Sequence, residues 1–340
     1  MTAKTEVITS ETAAVLETLQ PPTILPQSDD LPIASEIGPR ELLEVFLSNK
    51  SERTIEAYTR DLGTFADFLG VSGVEGAARL LFSVPHGRAN AIALAFRKYL
   101  TEEKKLRPKS VNRSLAALRS LSKMAQTIGL IPWTLQVTNQ SVEQYRDTRG
   151  PGVGNFRKML DYTVSRNDRK GRRDYTMLRL LFDLGLRRGE VAALDASDVD
   201  LDQRTIQVKG KGRTEKQVLS LASSTIEALR VWVSERGEAP GPLFCNLDRA
   251  RKGDGRLSGK SLYRIVRDIG QKVGVKTWPH AIRHTAITQC VRKVKESGGE
   301  YGLEEILAFS RHKSVTTAMI YVDRERDVQG SLSELVSRSV

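Results

Sequence analysis

The sequence predicts a mainly α-helical protein of two domains, with one small β-hairpin or sheet in the second. Apolar side chains recur at three- and four-residue steps over most of the chain beyond Pro39, the period of an amphipathic helix. The alternation a strand needs is convincing in one place, at 205–208 and 217–220, on either side of a Gly-Lys-Gly turn. A polar stretch at 136–154, containing Gly150-Pro151-Gly152, divides two helical runs. At 340 residues there is chain enough for two buried cores.

In chain order, residues 1–36 mix Thr, Ser, Pro and acids without a sustained period, as a disordered tail does. Residues 37–135 read as a small all-α domain of four helices. Leu42, Leu43, Phe46 and Leu47 make the first apolar face. Ser51 is placed to cap the second helix, whose face is Ile55, Tyr58, Leu62, Phe65 and Leu69. The Gly-rich run at 70–76 reads as a gap before a third helix at about 89–100. In the fourth helix Val111, Leu115, Leu118, Leu121 and Ala125 share one side, and Lys109, Arg113, Arg119 and Lys123 the other. That basic side is either an ordinary solvated face or a surface for a phosphate backbone. The stretch 136–154 is expected to be a linker. A second domain at 155–325 opens with helices at about 155–166 and 174–186, and beyond the hairpin adds helices near 224–234, 259–273, 281–293, 303–309 and 315–322. Residues 326–340 carry Leu332, Leu335 and Val336, enough for one short apolar-faced helix.

Charge narrows the function. The net charge is +12, and residues 1–36 hold one lysine against six acids, so the rest of the chain carries 52 basic against 35 acidic side chains. A folded body that basic favours a polyanion, because binding releases the polyanion's counterions. No apolar run is long enough to span a membrane. The N-terminus lacks a basic segment followed by an apolar core, so a cytoplasmic protein is expected. Cys245 and Cys290 stand alone, without metal-ligand spacing, and read as reduced side chains.

The chemistry-bearing residues gather late in the chain. Three of the four histidines (His280, His284, His312) lie there with Arg283 and Tyr321. Each has an ordinary role open to it. Arg187, just before a glycine at a helix end, would serve as a cap or surface cation, with Glu190 as its routine helix partner. Lys211 at a hairpin tip would normally be solvated. His280 precedes a helix and His284 follows on the same face. His312 sits in a polar Ser-Arg-His-Lys-Ser loop, and a tyrosine such as Tyr321 is ordinarily core with its hydroxyl satisfied.

Taken together in order, these residues resemble the tyrosine recombinases of the phage integrase, Cre and Xer type. The family pattern is Arg with Glu three later, Lys in a β-hairpin, His-x-x-Arg, then His or Trp, then Tyr nine residues on. The chain supplies Arg187 and Glu190, Lys211, His280 and Arg283, His312, and Tyr321 nine residues later. The resemblance spans the whole second domain, and residues 51–65 also look like the family's helical core-binding domain. It implies a two-domain clamp: a SAM-like core-binding domain at 37–135 and a catalytic domain of the DNA breaking-rejoining fold at 155–325. The tail at 326–340 would dock on a neighbouring subunit.

What the resemblance implies is chemically consistent. Tyr321 attacks a DNA phosphate to give a 3′-phosphotyrosine, and strand exchange proceeds through a Holliday junction. Arg187 and Arg283 clamp the phosphate. Lys211 acts as general acid, His280 assists proton transfer, and His312 hydrogen-bonds a phosphate oxygen. Glu190 and His284 hold these groups in place. Lys109, Arg113, Arg119 and Lys123 are the candidate DNA-binding residues. The expected partners are duplex recombination sites and further copies in a homotetramer on two duplexes, or a second recombinase. A protein nucleophile needs no cofactor, metal or ATP. The reading is therefore a site-specific recombinase acting in integration, excision or dimer resolution, nucleoid-associated in the cytoplasm. Relaxation of DNA as in type IB topoisomerases, or DNA binding without strand exchange, are the alternatives. One departure stands out: Ser310-Arg311 replaces the family's usual Leu-Gly before the second histidine. Ile282, in place of leucine, is a milder one.

Overall fold

A computed structural model describes residues 38–48, 50–141, 150–210, 212–247, 255–312, 314–325 and 328–339. The tail at 1–36, and Lys211, lie outside the described residues. The chain divides into two compact units, Met1–Gln144 and Tyr145–Val340.

The N-terminal unit is built from α1 (Pro39–Ser48), α2 (Glu52–Leu69), α3 (Gly73–Ser83), α4 (His86–Glu102) and α5 (Pro108–Thr127). Among the described residues there are five helices, where the sequence suggested four. The glycines of the 70–76 run argued for a gap, but Ala77, Ala78 and Leu81 are fully buried, and their packing outweighs the poor helix propensity of Gly73 and Gly76. Gly70 is still used as a stop: it closes α2 in the left-handed conformation at φ 67°. Ser51 occupies the cap position of α2, yet its hydroxyl pairs with the Thr54 hydroxyl at 2.8 Å rather than with a backbone N–H. The core stacks aromatic on aliphatic side chains, with Phe65 meeting Phe96 edge-on at 4.9 Å and Leu62, Leu115 and Leu118 around them. Each such buried side chain contributes about 1.5–3 kcal/mol.

The start of the polar stretch at 136–154 is anchored to this unit. Asn112 and Gln140 exchange two hydrogen bonds, Asn90 accepts from the Gln136 N–H at 2.8 Å, and Arg119 donates to the Val137 carbonyl at 2.6 Å.

The C-terminal unit begins with α6 (Val153–Ser165), α7 (Arg169–Asp183) and the short α8 (Arg188–Ala192). Helix α7 starts five residues earlier than the apolar period suggested, because Asp168 caps it by accepting from the Gly171 N–H. An antiparallel sheet follows, ordered β1 (Val199–Asp200), β2 (Thr205–Lys209) and β3 (Lys216–Ser220). Strand β1 is a short addition to the expected hairpin, and the β2–β3 register pairs Val208 with Gln217. Ile206 and Val208 face inward while Gln207 and Lys209 face out, as the alternation required. Then come α9 (Ser223–Arg236), α10 (Gly259–Lys272), α11 (Pro279–Glu296), α12 (Leu303–Ser310), α13 (Val315–Glu325) and α14 (Val328–Ser337).

The main core of this unit centres on Trp232, whose indole N–H donates to the Leu243 carbonyl at 2.9 Å. A smaller cluster of Ile287, Val291, Ile306, Ala318 and Tyr321 joins α11, α12 and α13. Cys290 borders it half-buried, and burial pushes its thiol up to about 11, so it stays protonated and unreactive.

Gly150 seats the start of this unit on α11. Its φ is +61°, and a Cβ there would collide with the Ala281 carbonyl and the Thr285 hydroxyl. Thr285 in turn accepts from the Gly152 N–H at 3.2 Å. Gly150→Ala is expected to destabilise the unit by about 1–3 kcal/mol through overpacking, before any left-handed strain is added, measured by urea denaturation.

Candidate active site

Helix α11 carries the centre of the site. Pro279 suits its first turn, where no N–H is needed, and Ala281, Ile282, Ala286 and Ile287 drive that side of the helix inward. Arg283 goes in with them and is fully buried. Its guanidinium donates to the Gly185 carbonyl after α7 and to the Ser310 carbonyl at the end of α12. Burial first, then the charges of Arg187 and Arg311, bring its pKa down to about 10, so it remains a cation at neutral pH.

Arg187 opens α8 as its N-cap, not as the C-cap of α7. Its backbone N–H and its guanidinium each donate to one oxygen of the buried Glu190 carboxylate, both at 2.8 Å. The second oxygen of Glu190 also accepts from Arg311 at 2.8 Å. Burial pushes the Glu190 carboxyl up, but the Arg311 charge and the two Arg187 donors outweigh it and hold it below the usual range.

Arg311 stands at the C-terminus of α12 with φ 51° and ψ 38°, its N–H closing the helix on the Leu307 carbonyl at 2.7 Å. This is the left-handed position glycine normally fills, and it costs a non-glycine residue about 1–2 kcal/mol. Arg311 thus adopts the backbone conformation that suits a glycine and adds a side chain to the site.

His312 follows, its ring stacked on that of Tyr321 at 5.8 Å. Its Nδ1 is buried and has no partner among the described residues. Burial first, then the charges of Arg283, Arg187 and His280, lower its pKa to about 4. It is a neutral imidazole at neutral pH. Tyr321 is buried on α13, and its hydroxyl meets His284 Nδ1 at 2.5 Å. His284 in turn packs edge-on against His280, with ring centres 4.3 Å apart.

A cleft of about 310 Å³ is lined by Arg187, Glu190, Arg311 and His312, and by Gly210, Arg213 and Gln217 of the hairpin. The hairpin flanks of Lys211 thus border the cleft, while Lys211 itself lies outside the described residues. A larger cavity of about 530 Å³ between α7 and α9 is lined by none of the predicted site residues. No group of three His, Cys, Asp or Glu side chains that would hold a metal forms among the described residues, and no described helix is long and apolar enough to cross a membrane.

The structure thus brings Arg187, Glu190, Arg283, His312, His284, His280 and Tyr321 into one neighbourhood. On α5 the picture differs. Lys109 and Lys123 are exposed, but Arg113 makes a two-pronged ion pair with the buried Asp61, at 2.8 and 2.9 Å. Arg119 is bound to Val137 and Asn139. Two of the four basic side chains therefore serve the unit's own packing, through partners distant in sequence. Arg311 was visible in sequence only as a departure from a pattern, and Arg213 only as one more basic residue beside a turn. The carbonyls of Gly185 and Ser310 leave no sequence signal.

Residues 155–327 match the Phage integrase family. The chain belongs to that family. A tyrosine recombinase of Synechocystis sp. is 32% identical over 92% of this chain and 98% of its own length. A tyrosine recombinase of Synechococcus elongatus is 32% identical over 88% of this chain and 93% of its own. The structure of a XerH site-specific recombinase, bound to a palindromic difH substrate after cleavage, shares the fold with TM-score 0.61 and 19% identity, covering 89% of this chain and 84% of that one. The protein is a DNA recombinase, mainly helical with a small sheet.

The charge on the site predicts a pH response. Between the ordinary histidine range near 6.5 and the folded value of about 4, the unfolded recombinase binds a proton at His312 that the folded one refuses. Stability is therefore present above the ordinary value and is lost as pH falls through that window. NMR titration of the His312 ring is expected to show a midpoint well below that of a free histidine, and His312→Gln to flatten the acid side of the stability profile.

Proposed function

We propose that the recombinase cuts and rejoins DNA at specific sites through a covalent bond between Tyr321 and a 3′-phosphate. The arrangement of Arg187 and His312 on one cleft, with Arg283 behind them and Tyr321 under the His312 ring, carries this reading. The Tyr321 oxygen attacks phosphorus, the bond to the 5′ oxygen breaks, and the 5′ hydroxyl of a second strand reverses the step. Because the covalent bond conserves the phosphodiester's energy, neither ATP nor a metal is called for. Arg187 and Arg283 stabilise the charge that grows on the non-bridging oxygens. Neutral His312 donates a hydrogen bond to one of them. His284, already on the Tyr321 hydroxyl, is the group best placed to receive its proton, with His280 beside it. Lys211 supplies a proton to the leaving 5′ oxygen.

The helical unit supplies DNA affinity, with Lys109 and Lys123 free to meet phosphates. Arg113, still half exposed beside Asp61, and Arg119 adjoin that surface. The protein works as a tetramer on two duplexes in the cytoplasm, with the DNA. Helix α14 supports the assembly: Leu332, Leu335 and Val336 are 54%, 59% and 68% exposed, an apolar stripe suited to a neighbouring copy. Relatives that are tyrosine recombinases along nearly the whole chain support strand exchange over simple relaxation.

Nicked suicide duplexes tiled across the DNA flanking the gene test the chemistry. Wild type is expected to give an SDS-resistant protein–DNA adduct and Tyr321→Phe none; an adduct that persists in Tyr321→Phe would exclude this nucleophile. Replacing Leu332 and Leu335 together by Glu is expected to leave single-site binding intact while abolishing complexes that join two duplexes, read by native gel shift. Unimpaired joining would remove α14 from the assembly.

A further inference from the structure

We propose that Arg311 is a positioning residue of the cleavage site and a further cation of its phosphate pocket. It would hold Glu190 in register with Arg187 and set the pocket's charge for the transition state. The inference rests on the strand-cleavage reading above and assigns a role to a residue outside the family pattern.

Four observations converge on it. The backbone at 311 has the left-handed form that a glycine would adopt without strain, so the loop does not need a side chain there. A side chain is nevertheless present, and it is folded inward to 6% exposure instead of reaching solvent. Its terminal nitrogen Nη2 touches both halves of the arginine pair: Glu190 at 2.8 Å, the partner of Arg187, and the Gly185 carbonyl at 3.4 Å, which Arg283 also uses. Its own carbonyl accepts from the Arg187 guanidinium at 3.3 Å. Arg311 thus joins the two phosphate-binding arginines through one shared carboxylate and one shared carbonyl.

Charge gives the arrangement a consequence. With His312 neutral, Arg187, Arg213 and Arg311 line the cleft against the one carboxylate of Glu190, with Arg283 buried behind them, so the pocket carries an excess of positive charge. A phosphodiester brings one negative charge, and attack by a phenolate raises that to about two in the pentacoordinate transition state. An excess of positive charge favours the doubly charged transition state over the singly charged substrate, and such a preference raises rate more than affinity. Glycine at 311 would remove one of these charges and one of the three donors that hold Glu190.

The test uses full-length protein and the nicked duplex on which wild type forms its adduct. Arg311→Gly and Arg311→Met are expected to cleave about 10–100-fold more slowly in single turnover, the usual range for loss of a supporting contact, with duplex affinity retained and each variant assayed well below its own melting temperature. Arg311→Lys should recover most of the rate, since one ammonium reaches both acceptors. A side chain that only fills space predicts instead that Arg311→Met matches wild type, and that result would overturn the proposal. So would a loss of rate that merely follows a loss of folding or of DNA binding. If wild type gives no adduct on any duplex, the cleavage reading fails by itself. Arg311 is then judged without DNA, by the Arg187 side-chain NMR signal. Arg311→Met shifts that signal if Arg311 holds Glu190, and leaves it in place if it does not.

Discussion

The buried guanidinium of Arg283 is the constraint on which the catalytic unit is arranged. A charge removed from water is costly unless every donor finds an acceptor and a counter-charge lies near. Here the acceptors are backbone carbonyls from two distant turns, Gly185 and Ser310, with Glu190 behind them. Seating the two Nη groups brings the end of α7 and the end of α12 to α11, while Nε stays buried without a partner among the described residues. Gly185 adopts φ +53°, and the Phe309 ring lies 3.4 Å from where a Cβ would stand. The turn is therefore shaped by the same contact it serves.

Glu190 distributes the charge around that constraint. It receives three donors, two from Arg187 and one from Arg311, on a carboxylate that is almost wholly buried. Fixed in this way, the guanidiniums would need little reorganisation in the proposed reaction as charge grew on a phosphate, which is the physical basis of electrostatic catalysis. Burial first, and then the same field, keep His312 a neutral imidazole and not another cation. The Tyr321 hydroxyl is oriented through His284, and a ring chain runs from His280 to His312.

In the helical unit the same side-chain type does different work. Arg113 and Arg119 stand on the polar side of α5 by helical period, as Lys109 and Lys123 do. Arg113 lies against the buried Asp61 of α2, and Arg119 against the segment that leaves the unit. An arginine fork can satisfy a buried carboxylate or a row of carbonyls, which a lysine does less well. The lysines stay in solvent.

Much of this protein was legible in its sequence. Helical period placed most helices, alternation placed the hairpin, and the order Arg187, Glu190, Lys211, His280, Arg283, His312, Tyr321 pointed to the family. Local signals of this kind need only near neighbours in the chain. Helix α3 escaped because its glycines argue against a helix until Leu81 has a core to enter. The pairing of Arg113 with Asp61 escaped because the two are far apart in sequence. The tertiary structure alone decided which carbonyls receive Arg283, and that Glu190 is shared by two arginines. It also decided that Arg311, a mere irregularity in the pattern, turns inward at a glycine's position. Those outcomes depend on where separate turns meet, and only the packed chain sets that.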